Sequence, residues 1–104
     1  MANDHLQVSI SAENQEQADQ ILNALLAKKL VTGGQILNAP ARFLWKGAIV
    51  DMNYFTLLSF SLAKNKEAII SEVKKISIEE VPMVTFTNID GNEELLRWIE
   101  KTLN

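Results

Sequence analysis

Two long extended runs joined by one short turn limit what this sequence can fold into. The runs 31–44 and 48–62 are rich in β-branched and aromatic residues, and Lys46-Gly47 marks a turn between them. Arms of about 14 residues each reach roughly 45 Å at about 3.3 Å per residue. A domain of about 100 residues is only about 35 Å across, so part of the predicted hairpin must project or bend around the domain.

The segments on either side of the hairpin predict further strands and helices. Alternation of apolar and polar residues predicts strands over 6–11 and 83–89. Helical spacing predicts three amphipathic helices, the first of them capped by Ser11 or Asn14. Their apolar stripes are Ala18, Ile21, Leu22, Leu25, Leu26 and Leu30; then Ala68, Ile69, Val73 and Ile76; and last Leu95, Leu96, Ile99 and Leu103.

The resulting order, β-α-β-β-α-β-α, determines the predicted fold. Two βαβ halves joined by a hairpin form an α+β, ferredoxin-like split βαβ sandwich. We therefore expect an antiparallel sheet with a long central hairpin, helices packed on one face and an additional C-terminal helix. The chain has 104 residues and no linker or low-complexity tract, so residues 1–104 are predicted to form a single domain.

Charge and residue usage argue against several classes of protein. The formal net charge is −3 and the lysines are scattered, so we expect no nucleic-acid binding. The chain has no cysteine, which removes thiolate catalysis and cysteine-based metal sites and fits a reducing compartment. No signal peptide and no apolar run of about 20 residues is recognisable, so we expect a cytoplasmic protein without a membrane association.

The projecting part of the hairpin, residues 40–54, carries a large apolar surface. An isolated two-stranded ribbon with such a surface is marginally stable and prone to associate in water. We therefore predict that a second copy of the chain buries it. The expected interface residues are Phe43, Leu44, Trp45 and Tyr54, with Ile49 and Val50 beside them. A hairpin that bends back onto its own domain is the alternative that the sequence leaves open.

Three short segments, in their order and spacing, carry a family resemblance. They are Phe43-Leu44-Trp45-Lys46-Gly47 at the predicted turn, Glu80-Val81-Pro82 before the last strand, and Gly91-Asn92-Glu93-Glu94-Leu95-Leu96-Arg97-Trp98-Ile99 at the last helix. These segments resemble three motifs of the CutA divalent-cation-tolerance proteins. The first resembles an aromatic pair followed by Trp-Glu-Gly, and the second resembles the end of His-Pro-Tyr-Glu-Val-Pro. The third resembles Gly-Asn-x-x-Tyr-Leu-x-Trp-Ile. The resemblance covers nearly the whole chain and implies a ferredoxin-like homotrimer involved in the response to metal ions.

The sequence departs from the family pattern at the residues most often linked to copper. Gly33 stands where the family usually has a cysteine, and Ser77-Ile78-Glu79 replaces His-Pro-Tyr. Leu95 replaces the tyrosine of the last motif. The resemblance therefore implies a divergent member in which any metal site differs from a soft site built on cysteine and histidine.

Few side chains are candidates for a site. Glu79 and Glu80 are candidates for a hard divalent cation such as Mg²⁺ or Ca²⁺, although adjacent residues of an extended chain point in opposite directions. His5 is the only histidine, and we expect it to be solvated rather than a ligand. No catalytic residue is recognisable, because the serines have no predictable histidine base, and no glycine pattern predicts a nucleotide-binding site.

Three functional hypotheses follow from the sequence. The first is a non-enzymatic trimeric binding or signalling protein, with ligand or ion sites in clefts between subunits and no cofactor beyond a candidate divalent cation. The second is a trimeric structural scaffold that docks an unidentified protein partner and has no metal function. The third, an enzyme, would need Glu79, Glu80 or Asp51 to converge across an interface, and we expect no such activity.

Overall fold

A computed structural model describes residues 4–104 and places four strands in one antiparallel sheet. The strand order is β2-β3-β1-β4, as the split βαβ arrangement requires, so the predicted ferredoxin-like fold is confirmed. The elements are β1 (His5–Ala12), α1 (Gln15–Ala27), β2 (Gln35–Trp45), β3 (Ala48–Leu62), a 3₁₀ turn (Ala63–Asn65), α2 (Lys66–Ile76), β4 (Val84–Asn88) and α3 (Glu93–Leu103).

The central hairpin is long and regular. β2 and β3 pair one to one from Gln35–Leu58 to Trp45–Ala48. Lys46 and Gly47 both have positive φ, 50° and 82°, which is typical of the two-residue type I′ turn that matches the twist of the strands. β3 has the predicted bounds, whereas β2 begins only at Gln35, because residues 31–34 form a non-helical link between α1 and the sheet.

The end of the hairpin projects from the domain. The chain measures 44 × 24 × 21 Å, and the side chains of Leu44 and Ile49 near the turn are 77% and 73% exposed. Lys46 Nζ lies 3.0 Å from Glu80 Oε1, so the turn contacts the loop between α2 and β4 through an exposed ion pair. The apolar residues of the projecting end therefore stay largely uncovered by their own domain.

The main core lies between the sheet and the helix pair α1–α2. Even-numbered side chains of β1 point into it, and they meet Leu57 of β3 and the apolar stripes of the two helices. Its fully buried members include Val8, Ile10, Ile21, Leu25, Ile69 and Val73. Two predicted stripe residues lie outside it: Leu26 is 39% exposed and Ala68 is exposed, since both lie on the solvent side of their helices.

The C-terminal helix does not pack where we expected it. α3 lies on the opposite face of the sheet from α1 and α2, where Ile99 and Leu103 bury Leu62 of β3. Phe60, Ile89 and Leu95 complete this second cluster. The prediction that the helices share one face is therefore wrong for α3, because even-numbered β3 residues point away from the main core.

One buried carboxylate joins the two core helices. The Glu72 side chain, on the buried side of α2, accepts a hydrogen bond from Lys28 Nζ at 2.8 Å, and Lys75 Nζ lies 3.6 Å away. The hydrogen bond from Lys28 holds the pKa of Glu72 below its usual range. A carboxylate with a lowered pKa stabilises the fold above its ordinary pKa and loses this contribution as the pH falls.

We predict that Glu72→Gln makes the stability of the protein less sensitive to acid. Between about pH 5 and pH 3 the wild-type unfolding temperature should fall more steeply than that of the variant, because only the wild type must protonate Glu72. Thermal unfolding followed by circular dichroism across this range measures the effect. Glu67→Gln, on the exposed side of the same helix, is the matched control and should keep the wild-type profile. Parallel profiles for wild type and Glu72→Gln would contradict this account.

Candidate functional site

The loop 77–83 between α2 and β4 is held in place by one buried glutamine. Gln17 lies in the first turn of α1 and is only 6% exposed. Its Oε1 accepts a hydrogen bond from the Ile78 backbone N–H at 2.9 Å, and its Nε2 donates to the Ile76 carbonyl at 3.3 Å. Ser77 Oγ accepts from the Glu79 N–H at 3.1 Å. These bonds fix the backbone that carries Glu79.

The Glu79 carboxylate is bound by two hydroxyl groups of the sheet. Ser11 Oγ lies 3.2 and 3.1 Å from its two oxygens, and the Tyr54 hydroxyl donates to Oε1. Ser11 Oγ also accepts from the Met83 N–H at 2.8 Å, so one hydroxyl links both ends of the loop. We call Ser11, Tyr54, Glu79 and Met83 the Glu79 cluster.

The electrostatics of the cluster keep Tyr54 in its phenol form. Burial raises the pKa of Tyr54 to about 12, and the hydrogen bond to Glu79 and the negative charge of that carboxylate contribute in the same direction. At neutral pH the phenol is therefore protonated and donates its hydrogen to Glu79. A phenol in this state orients the Glu79 side chain through its hydrogen bond.

The candidate carboxylates do not converge within one chain. Glu79 turns to the sheet, whereas the neighbouring Glu80 pairs with Lys46 and is 64% exposed. Asp51 accepts from Arg42 Nε at 2.5 Å across the hairpin. Glu79 and Glu80 lie in a bend rather than in the extended chain that the sequence suggested, and their side chains diverge. Among residues 4–104, no group of three histidine, cysteine, aspartate or glutamate side chains is arranged to hold a metal ion.

The Glu79 cluster borders the uncovered half of the sheet. We call the face opposite α1 and α2, where α3 does not cover it, the open sheet face. Beside Tyr54 this face has a shallow cleft of about 270 Å³. The cleft combines hydroxyl groups with apolar side chains and the two aromatic rings of Phe43 and Tyr54, and its lining also includes Ser9, Ala39, Ala41, Thr56 and Thr85. It can accept a small ligand or the side chains of another protein.

The predicted interface residues lie on both faces of the projecting hairpin. Phe43 and Tyr54 meet on the open sheet face, with ring centroids 5.3 Å apart at 77°. Trp45 is on the same face and is 41% exposed, with Lys46 Nζ 5.4 Å from its ring. Leu44 instead lies on the other face, where it stands opposite Ile49. Successive side chains of a strand point to opposite faces, so Leu44 lies on the opposite face from the other three predicted interface residues.

The only histidine is buried, which contradicts the expectation that it is solvated. His5 is the first residue of β1 and is 7% exposed, and its Nε2 lies 2.7 Å from Glu100 Oε2 on α3. Odd-numbered β1 residues point to the face that α3 covers at this end, which accounts for the burial. Ser11 lies six residues further along β1, roughly 20 Å away, so His5 takes no part in the Glu79 cluster.

Sequence reasoning missed the two residues that position Glu79. Gln17 had a signal, because it precedes Ile21 by one helical turn and so occupies a core-facing position with a polar side chain. A polar residue at such a position needs a hydrogen-bonding partner. Ser11 had no such signal, since its partners lie 68 and 72 residues away in the chain.

Solved structures of CutA proteins resemble this chain closely. The structure of CutA from Archaeoglobus fulgidus, described as a periplasmic divalent cation tolerance protein, matches with a TM-score of 0.91 at 28% identity, over 96% of this chain and 99% of that one. The divalent cation tolerance protein (Cut A1) from Thermus thermophilus has a TM-score of 0.90 at 24% identity, over 96% of this chain and 99% of that one, and it supports the fold.

Sequence comparison also identifies CutA proteins as relatives of this chain. The divalent-cation tolerance protein CutA of Archaeoglobus fulgidus is 28% identical over 100 residues, which are 95% of this chain and 98% of the relative. Among residues 4–104, none of the helices is long and apolar enough to cross a membrane. The family model of the CutA1 divalent ion tolerance protein matches residues 6–102, so the chain belongs to the CutA1 divalent ion tolerance family.

Proposed function

We propose that this protein is a non-enzymatic, self-assembling member of its family that binds divalent ions in clefts between its subunits. The observation that carries the proposal is the uncovered apolar surface of the open sheet face. Leu37, Trp45 and Val50 are 45%, 41% and 36% exposed there, on the side of the hairpin strands that faces away from the main core. An apolar surface of this kind is typical of a protein–protein interface.

The family resemblance supports three as the number of subunits. The open sheet face and the projecting hairpin give each copy a surface that a neighbour can cover. A cytoplasmic location is part of the same proposal. Fractionation of cells that express the chain tests this location, since the Archaeoglobus fulgidus relative is described as periplasmic.

The Glu79 cluster is the proposed place of ion binding. Glu79 offers a carboxylate that is already oriented by Ser11 and Tyr54, and it lies at the border of the open sheet face. Hard cations such as Mg²⁺ and Ca²⁺ take six or more oxygen ligands. One chain supplies too few of them, so we propose that groups of a neighbouring copy complete the site.

Assembly through the open sheet face predicts a strong effect of one charge at Trp45. Sedimentation velocity at micromolar concentration should give about three times the 11.7 kDa of one chain for the wild type. Trp45→Asp should shift the mass towards 11.7 kDa, because truncating a buried aromatic anchor costs about 2 kcal/mol or more per interface.

Leu26→Asp is the matched control for this experiment. Leu26 is 39% exposed, close to the 41% of Trp45, but it lies on α1 on the other side of the sheet. This variant should keep the wild-type mass. A wild-type protein that sediments as a single species of 11.7 kDa would contradict the proposed assembly.

Ion binding at Glu79 predicts a stabilisation that depends on this one carboxylate. In thermal-shift measurements with Mg²⁺, Ca²⁺, Mn²⁺, Zn²⁺ and Cu²⁺, a bound ion should add about 2.7 kcal/mol at about 100 times its dissociation constant. Glu79→Gln should remove the effect, and Glu80→Gln, whose side chain pairs with Lys46, should retain it. If no ion stabilises the wild type, the ion-binding part of the proposal is wrong.

The hydrogen bond between Tyr54 and Glu79 predicts an unusual titration. Tyr54 is the only tyrosine, so the near-ultraviolet absorbance of its phenolate reports on this residue alone. The midpoint should lie near pH 12 in the wild type and fall in Glu79→Gln, while staying above the ordinary value because burial remains. Glu80→Gln should leave the midpoint unchanged. A wild-type midpoint near pH 10 would contradict the described geometry.

A scaffold that docks another protein is the second candidate function. Leu44 and Ile49 favour it, because they stand opposite each other on the face of the hairpin that points away from the open sheet face. Assembly through the open sheet face would leave this pair exposed for a partner. Leu44→Asp should then abolish binding of a partner protein without changing the subunit number, whereas an ion-binding role alone predicts no such loss.

A further inference from the structure

The link between β4 and α3 contains the only Asp-Gly pair of the sequence. Asp90 and Gly91 lie outside any helix or strand, and both are exposed. The Gly91 backbone N–H donates to Oδ1 of the preceding Asp90 at 2.9 Å. Among residues 4–104 this N–H has no other hydrogen-bond acceptor. The Gly91 nitrogen therefore lies beside the carboxyl group of its neighbour and is not held by the hydrogen bonds of a helix or a sheet.

This contact brings together the two groups that form a cyclic imide. Cγ of Asp90 is bonded directly to the Oδ1 atom that the Gly91 N–H contacts. A bond between the Gly91 nitrogen and this carbon closes a succinimide ring. Gly91 has no Cβ, so no side chain of its own hinders the approach of its nitrogen to the carboxyl carbon.

Two aspartates in regular secondary structure lack this arrangement. Asp19 lies inside α1 and Asp51 inside β3, and the amide that follows each belongs to the same element. The hydrogen bonds of a helix or of paired strands hold such amides in place. The residues that follow, Gln20 and Met52, also carry a side chain next to the nitrogen. Asp90 differs from both aspartates in these two respects.

We infer that Asp90 is a site of spontaneous conversion to isoaspartate through a succinimide. In the first step the Gly91 nitrogen bonds to Asp90 Cγ. One carboxyl oxygen leaves as water, with the amide proton and a proton from the carboxyl group or the solvent. In the second step water breaks one of the two C–N bonds of the ring. Breakage at Cγ restores aspartate, whereas breakage at the main-chain carbonyl carbon gives isoaspartate. Water is the only co-reactant, and nothing is oxidised or reduced.

Isoaspartate would change the main chain between two anchored residues. The main chain would then run through Cβ and Cγ of residue 90 and gain one carbon atom, and the original α-carboxylate would become a side group. Before this point, Ile89 donates its N–H to the His5 carbonyl at 3.0 Å. Ile89 and Leu95 both pack in the second hydrophobic cluster. The added atom must therefore be accommodated between residues 89 and 95, where α3 begins.

The packing of α3 should respond to this change. Ile99 and Leu103 hold α3 on the sheet by covering Leu62, and Glu100 contacts His5. These contacts depend on where the first turn of α3 lies relative to the end of β4. We therefore expect α3 to pack less well on the sheet once isoaspartate has formed at residue 90.

Ageing of the intact protein in neutral buffer tests the inference. Asp-N endoproteinase cleaves before aspartate but not before isoaspartate, so digestion of the aged and then denatured chain reports on each site. Cleavage before Asp90 should be lost progressively, whereas cleavage before Asp19 and Asp51 should persist. Mass spectrometry should detect the ring in a peptide that is lighter by one water molecule. Complete and persistent cleavage before Asp90 would overturn the inference.

Two variants examine the ring closure itself. Gly91 does not have a positive φ, and an added Cβ would lie 3.4 Å from Cδ2 of the Leu95 side chain, so alanine fits. Gly91→Ala should preserve cleavage before Asp90 during ageing, because the new Cβ hinders the nitrogen. Asp90→Asn should convert faster than the wild type, with ammonia as the leaving group and a carboxyl group in place of the amide. An asparagine that persists at this position would overturn ring closure in the folded link.

Two comparisons separate the folded link from the chemistry of an unfolded chain. Isoaspartate that forms only in the urea-denatured protein would overturn the inference, because the folded link would then hold the nitrogen away from Cγ. Aged wild type should unfold at a lower temperature than fresh protein, whereas aged and fresh Gly91→Ala should unfold at the same temperature. An unchanged unfolding temperature in fully modified wild type would overturn the expected effect on α3.

Discussion

The pairing of β1 with β3 is the interaction on which the rest of this structure depends. Its register, from His5–Leu62 to Ala12–Phe55, puts even-numbered β1 and odd-numbered β3 side chains on one face. That face receives α1 and α2, and the other receives α3 at one end and stays open at the other. A slip of one residue would exchange the two faces, so this register determines the core, the open sheet face and the surroundings of Glu79.

The unequal lengths of these two strands have a functional consequence. β1 has eight residues and β3 has fifteen, so the first half of β3 extends from the domain with β2 as its only strand partner among residues 4–104. The same segment contributes Tyr54 to the Glu79 cluster and the exposed Val50 to the proposed interface. Ion binding and self-assembly are therefore proposed to meet at one place, where the domain ends and the hairpin projects.

The departures from the family pattern change the chemistry of the site while the fold stays the same. Ser77-Ile78-Glu79 stands where the resemblance implies His-Pro-Tyr, and Gly33 replaces a cysteine. In the structure Glu79 binds two hydroxyl groups, and no imidazole joins the cluster because His5 lies at the far end of β1. A carboxylate surrounded by hydroxyl groups offers hard oxygen ligands, which suit hard cations better than copper. The proposed ion site at Glu79 would therefore differ in preference from a site built on cysteine and histidine.

The sequence by itself determined the features that depend on local patterns. It predicted the bounds of β3, the Lys46-Gly47 turn, the strand–helix order and the family, because alternation, helical spacing and turn residues act over a few positions. It also left two candidates for the cap of α1, and the structure selects Asn14, whose side chain accepts from the Gln17 N–H.

Only the tertiary structure decided which distant residues meet. His5 pairs with Glu100, which is 95 residues away in the sequence, and Ser11 binds Glu79, which is 68 residues away. α3 packs on the face of the sheet that α1 and α2 leave uncovered. An amphipathic stripe predicts that a helix buries one side, but it carries no information on which face of a sheet will receive it. That choice follows from strand register and from the space left by the other helices, and both exist only in the folded chain.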